Sequence, residues 1–172
     1  MSRARAFRLG SILLLLAFAG CGFQPLYGSR DGTRAAAPTA DMAAVSIGQI
    51  PDRLGQLLRN ELLDRLNPTG EPSQPRWRLE VTLKEARSDT VILRDSTATF
   101  AKYTADARWV LLDSTSQAPV TRGRTRRTTS FSIVSSEFAT LEAERDAQRR
   151  AMTEIAEDIR LRLGLFFRRS DR

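Results

Sequence analysis

The sequence predicts an α+β fold: a two-layer sandwich of two helices packed on a mostly antiparallel four-stranded sheet, in the order β-α-β-β-β-α. Three observations predict it. Between residues 77 and 134, apolar residues recur at every second position over long runs, which marks strands with one buried and one wet face. Around residues 54–66 and 138–165 they recur every three or four positions, the spacing of amphipathic helices. Setting aside a leader of 20 residues leaves residues 21–172. That length suits one domain, burying about 68–70% of its unfolded-chain surface.

Each element has its own signal. Val45-Ser46-Ile47-Gly48-Gln49-Ile50 alternates apolar and polar and predicts a short first strand. Pro51-Asp52 opens a helix, with Asp52 as its N-cap. Leu54, Leu57, Leu58, Leu62 and Leu66 form the apolar stripe, and Asn67-Pro68-Thr69-Gly70 ends it. A strand from Trp77 to Ala86 puts Trp77, Leu79, Val81 and Leu83 on one face. Val91-Ile92-Leu93 either prolongs that strand after a break or forms an apolar loop. The next strand runs from about Thr97 to Asp113, with Ala101, Tyr103, Ala105, Ala107, Trp109 and Leu111 sharing a face. Ser114 to Pro119 connects it to a last strand, Val120 to about Val134. On that strand Arg122, Arg124 and Arg126 fall on one face by the two-residue period. Ser135 or Ser136 caps the closing helix, from about Phe138 to Leu165. Its stripe is Ala143, Ala147, Ala151, Ile155, Ile159, Leu163 and Phe166, widened by Leu141 and Met152. Two helices cover one sheet face, so the other is left for a partner.

The first 20 residues have a different logic. Arg3, Arg5 and Arg8 precede an apolar stretch, Leu9 to Ala19, and Ala19-Gly20 ends it with small residues. That order is a secretory signal. The stretch is shorter than the roughly 20 apolar residues of a spanning helix. Cys21 follows directly and is the only cysteine. Its placement resembles a bacterial lipobox, with Phe18 where Leu is usual. The expected modification is a diacylglycerol and an N-acyl lipid on Cys21. A disulfide lacks a second cysteine, and a catalytic thiol lacks a histidine partner, since the chain has none. Several acyl chains anchor far more firmly than one. Gly22 is not the Asp that resembles an inner-membrane retention signal, so the expected location is the outer membrane, facing the periplasm. Residues 21–42 read as a tether of loop formers, followed by one domain over 43–172. Phe23, Leu26 and Tyr27 are aromatic or apolar neighbours of the anchor. They suit either the membrane or barrel surface, or packing on the domain.

Charge and missing residues narrow the function. The chain carries 27 basic and 20 acidic residues. Without the three leader arginines, 24 basic residues face 20 acidic ones. A moderate excess of this kind suits anionic lipid or lipopolysaccharide phosphates, or else only keeps the surface soluble, and no nucleic-acid partner is expected for an anchored envelope chain. Without histidine or a free thiol, triads and His- or Cys-based metal sites are excluded. Glu142, Glu144, Asp146, Glu154, Glu157 and Asp158 read as a solvated helix face rather than paired catalytic carboxylates. No enzyme activity, cofactor or metal is expected.

Cys21-Gly22-Phe23-Gln24-Pro25-Leu26-Tyr27-Gly28 resembles the start of mature lipopolysaccharide-assembly lipoproteins of the LptE family. Ile50-Pro51-Asp52-Arg53 with Leu58-Arg59-Asn60-Glu61-Leu62 is similar to that family's first strand–helix junction. Phe138-Ala139, Asp146-Ala147, Ile155 and Ile159 are similar to its last helix. The resemblance implies an α+β sandwich without catalysis. It also implies a protein that plugs the LptD β-barrel, helps it fold and helps deliver lipopolysaccharide to the outer leaflet. The alternative role is an accessory lipoprotein of another envelope lipid-transport or barrel-assembly machine.

No lipid-contact residue transfers from the resemblance, so candidates come from the pattern. Arg122, Arg124, Arg126 and Arg127 are the first, because guanidinium matches phosphate bidentately. Lys102 and Arg108 join them from the neighbouring strand. A solvated strand face is the plain alternative. Trp77 and Trp109 lie on the apolar phase of their strands and are assigned to the core ahead of ligand contact.

Overall fold

The computed structural model describes residues 37–92 and 99–170. The leader, Cys21, Phe23, Leu26, Tyr27 and Leu93 lie outside the described residues. The elements are α1 (Ala37–Ala43), β1 (Val45–Ile47), α2 (Asp52–Leu66), β2 (Trp77–Ile92), β3 (Thr99–Asp113), β4 (Pro119–Ile133) and α3 (Glu137–Ser170). The sheet order is β1-β2-β3-β4. β1 runs parallel to β2 through the crossover helix α2, and β2, β3 and β4 form an antiparallel meander. The α+β sandwich and its element order are therefore as the sequence predicts.

Alternation builds the core. Leu79 and Val81 of β2, with Ala101, Tyr103, Ala105, Ala107, Trp109 and Leu111 of β3, are buried on the helix-covered face. Leu54, Leu58, Leu62 and Leu66 fill it from α2, and Ala147, Ala151, Met152, Ile155, Ala156, Ile159, Leu163 and Phe167 fill it from α3. Each fully buried Leu or Ile contributes roughly 1.5–3 kcal/mol. Alanines on both β3 and α3 let helix and sheet approach closely. Thr129 of β4 fastens the contact by donating its Oγ1–H to the Ala147 carbonyl at 3.0 Å.

Several boundaries differ from the sequence reading, each for a physical reason. β2 continues past Ala86 to Ile92. Its inward positions on either side of Ala86 are Glu85 and Arg87, which break the apolar pattern yet find partners. Tyr103 donates its hydroxyl to Glu85 at 3.1 Å, and Arg87 pairs with Glu144 at 2.7 Å. Burial and the Glu85 carboxylate push the Tyr103 hydroxyl pKa up. Residues 37–42, read as the end of the tether, form α1 together with Ala43, less than two turns and too short to show a period. Met42 packs against the core beside Gly164, and the Asn67 side chain donates to the Ala43 carbonyl at 3.0 Å. Asp52 is the first helical residue, not the cap. Pro51 holds the cap position, and Asp52 sits at φ 67, a left-handed conformation that short polar side chains tolerate. Ser136 is the α3 cap, accepting from the Ala139 N–H at 3.4 Å.

α3 is also longer than its predicted stripe, and its register adds to the stripe at one end and removes from it at the other. Phe167 is buried, with its ring 5.8 Å from that of Trp77, and the predicted Phe166 packs half-buried against the core beside it. Leu141 points outward with Phe138. Of the acidic residues read as a solvated face, Glu142 and Asp146 are half-exposed and pair within α3, whereas Glu144, Glu154, Glu157 and Asp158 flank the buried stripe and bind α3 to its neighbours. Glu144 meets Arg87, Glu157 meets Arg65 at 3.6 Å, and Asp158 accepts from the Thr125 hydroxyl at 2.6 Å.

Candidate functional site

The face of the sheet away from the helices is the candidate site. Register decides what meets there. On β2 it presents Arg78, Glu80, Thr82 and Lys84, on β3 Lys102, Thr104, Asp106 and Arg108, and on β4 Arg122, Arg124, Arg126 and Thr128. One cross-sheet row is Lys84–Asp106–Arg126, and the next is Thr82–Arg108–Arg124. Among the described residues this face carries seven cations (Arg78, Lys84, Lys102, Arg108, Arg122, Arg124 and Arg126) and two carboxylates, Glu80 and Asp106.

Asp106 organises the centre. Arg124 donates Nε–H to its Oδ1 at 2.8 Å and its Nη2 group to Oδ2, while Arg126 Nη2 reaches Oδ2 at 2.7 Å. Hydrogen bonds from Arg124, then from Arg126, hold the Asp106 carboxyl well below the usual carboxylate range, against desolvation. One negative charge thus faces two guanidiniums. Lys84, Arg108, Arg124, Arg126, Thr104 and Asp106 line a shallow depression of about 300 Å³ with Glu85 and Ala86. Among the described residues Lys84, Lys102, Arg108 and Arg122 have no ion-pair partner. Such an arrangement can take an anion: charge is in excess and the arginine forks are already held in place.

A lowered carboxyl pKa gives a signed prediction. An unfolded Asp titrates near 3.9, and Asp106 titrates lower when folded. Its contribution to stability is therefore complete above about pH 4 and declines as pH falls from there through the folded value. Thermal melts from pH 5 to pH 2 should fall less steeply for Asp106→Asn than for the wild type. The effect should be modest, because the arginines are half exposed.

The structure sorts the sequence-derived candidates. Arg124, Arg126 and Arg108 converge on the depression. Arg122 lies one alternation beyond Arg124 on the same face, opposite Val110. Lys102 shares the face but stands about 13 Å along β3 from Asp106, in the row with Ser88 and Ser130. Arg127 turns to the helix side and pairs with Glu154 at 3.3 Å and Asp158 at 3.7 Å, so it does not join the others. Cys21, Phe23, Leu26 and Tyr27 lie outside the described residues. The sequence reading missed Lys84 and the central role of Asp106. Both lie on the polar phase of their strands, but only the register brings them beside the arginines.

Among the described residues no helix is long and apolar enough to cross a membrane. The family model described as "LptE: Lipopolysaccharide-assembly" matches residues 40–163, most of the chain. No curated protein matches the chain. Among solved structures, a putative lipoprotein from Caulobacter crescentus has 24% identity and a TM-score of 0.64, over 77% of this chain and 96% of its own. A minor lipoprotein from Acinetobacter baumannii has 11% identity and a TM-score of 0.53, over 70% of this chain and 90% of its own. These likenesses establish a shared fold, and the family match adds a bacterial envelope role in lipopolysaccharide assembly, without catalysis or cofactor. The chain belongs to the LptE family of lipopolysaccharide-assembly lipoproteins.

Proposed function

We propose that this protein is anchored through a lipidated Cys21 in the outer membrane, occupies an LptD-type β-barrel and assists lipopolysaccharide transport and insertion there. The family match over residues 40–163 carries this reading. The leader-to-cysteine order and Gly22 support the anchor and the membrane, and Phe23, Leu26 and Tyr27 are placed to dock beside it. The open sheet face supplies the lipid contact. Arg122, Arg124 and Arg126, with Arg108 and Lys84, take the phosphates of lipopolysaccharide, and Lys102 extends the basic track.

Two measurements test it. A C-terminally tagged chain purified from detergent-solubilised membranes should bring down a large outer-membrane β-barrel at near one-to-one. Inner-membrane transporter subunits instead would favour the other envelope machine and refute the barrel assignment. Separately, Arg122→Ser/Arg124→Ser/Arg126→Ser should weaken lipopolysaccharide binding about tenfold or more, since charge-assisted hydrogen bonds are worth about 1.5–3 kcal/mol each. Wild-type binding should weaken with added salt. Unchanged binding by the folded triple variant would remove the arginines from the lipid site.

A further inference from the structure

β4 is an open edge, and its backbone directionality can be worked out. The Gly48 N–H bonds the Leu79 carbonyl, so odd residues of β2 face β1. The Arg76 carbonyl accepts from the Ser114 N–H, so even residues at this end of β2 and β3 face each other. Odd residues of β3 therefore face β4, and they stand opposite odd residues of β4, such as Trp109 opposite Gly123. The N–H and C=O groups of Arg122, Arg124, Arg126 and Thr128 consequently point to the free edge. Their side chains lie on the open basic face. Among the described residues no backbone bond from another element reaches this edge, and one carbonyl, that of Arg126, is met by the Arg127 side chain at 3.1 Å.

Proline and bulge, two of the devices that blunt an edge, are absent from its middle. β4 is 15 residues long, its proline is the first residue, and its register shift lies at the same end, beside Leu111 and Leu112. What remains is charge. A second copy paired antiparallel about Arg124 would set arginine against arginine, which disfavours self-pairing there. An added strand with carboxylates at every second position would instead place each beside Arg122, Arg124 or Arg126, in narrow hydrogen-bonded pairs on one face.

We infer that the free edge of β4 is a strand-addition site for an extended segment of a protein partner with acidic residues at alternate positions. Main-chain bonds to the outward groups of β4 supply affinity, and the arginine row supplies register and sign. This inference shares the arginine row with the lipopolysaccharide reading but rests on the outward backbone groups of β4, and it needs neither phosphate nor acyl chain. The exchange pattern along β4, which phosphate binding to side chains would not produce, tells the two apart.

The test is a titration of the full chain in detergent with a blocked heptapeptide bearing Glu at its second, fourth and sixth positions and Thr or Val between. The control peptide has the same composition with its three Glu contiguous. Amide hydrogen exchange should slow at Arg122, Arg124, Arg126 and Thr128 on addition of the alternating peptide, with the odd residues of β4 unaffected. Arg122→Ser/Arg124→Ser/Arg126→Ser should lower the affinity about tenfold. Thr128→Pro removes an outward N–H while leaving the ladder to β3 intact, and should lower affinity by a similar factor. Equal affinity for the contiguous control, no change in exchange along β4, or protection of these amides by self-association without peptide would each overturn the inference.

Discussion

Gly123→Val should be among the most destabilising single substitutions in the molecule, by about 1–3 kcal/mol or somewhat more. Gly123 stands directly opposite the buried Trp109, and a Cβ built on it falls 2.6 Å from the indole Cε2 and 3.0 Å from Nε1. Ordinarily, replacing a glycine inside a strand by a β-branched residue strengthens the strand, because glycine has more backbone entropy to lose and packs nothing. Here the indole occupies the space where the side chain would go, so the sign reverses. Trp109 cannot yield easily. It is 3% exposed and its neighbours are core residues. The melting temperature should fall by several degrees for Gly123→Ala and further for Gly123→Val. Adding Trp109→Leu should recover part of the Gly123→Ala loss, giving a coupling well away from additivity. A Gly123→Ala chain that melts at or above the wild type would show that the indole does not depend on the missing Cβ.

Asp106→Asn should have the opposite sign from the arginine substitutions: several-fold tighter binding of lipopolysaccharide, with a steeper dependence on salt. Among the described residues Asp106 is the one acceptor that holds both Arg124 and Arg126. Removing its charge leaves two guanidiniums uncompensated beside Lys84 and Arg108, which raises the local potential available to an anion. The alternative is that Asp106 matters as a brace, fixing the forks in the geometry that phosphate needs. A brace predicts weaker binding for Asp106→Asn, even with greater net positive charge. Isothermal titration at two salt concentrations separates the two, and weaker binding would overturn the account in which charge excess sets affinity.

Much of this architecture is legible in the sequence because it rests on local alternation. Trp109, Leu111 and Ala101 announce their inward phase within β3 itself, and Leu54 to Leu66 announce a helix face within α2. Legibility fails where a residue's role depends on a distant partner. Arg87 and Glu85 look like the end of a strand until Glu144 and Tyr103 are placed against them. Arg127 looks like a fourth member of the arginine row, yet one residue of offset sends it through the sheet to Glu154. Asp106 reads as one polar residue among several, and its place between two arginines comes only from the β3–β4 register. Seven residues are too few for α1 to display a period, so its packing is invisible until Met42 is seen beside Gly164.

The parallel pairing of β1 with β2 has a mechanical consequence. It spans only Val45, Ser46 and Ile47 against Trp77, Arg78 and Leu79. The β2–β3–β4 meander is held by long antiparallel ladders that the chain reaches only later. A pull applied at the N-terminal side of Ala37 is therefore borne first by α1 and this short strip, in series, before any load reaches the meander. Under tension the domain should yield in two stages. First β1 peels off with α1, a small extension at low force. Rupture of the meander follows at a higher force. The first stage would let the protein lengthen and recoil without losing the sheet face on which Arg108, Arg124 and Arg126 are arrayed.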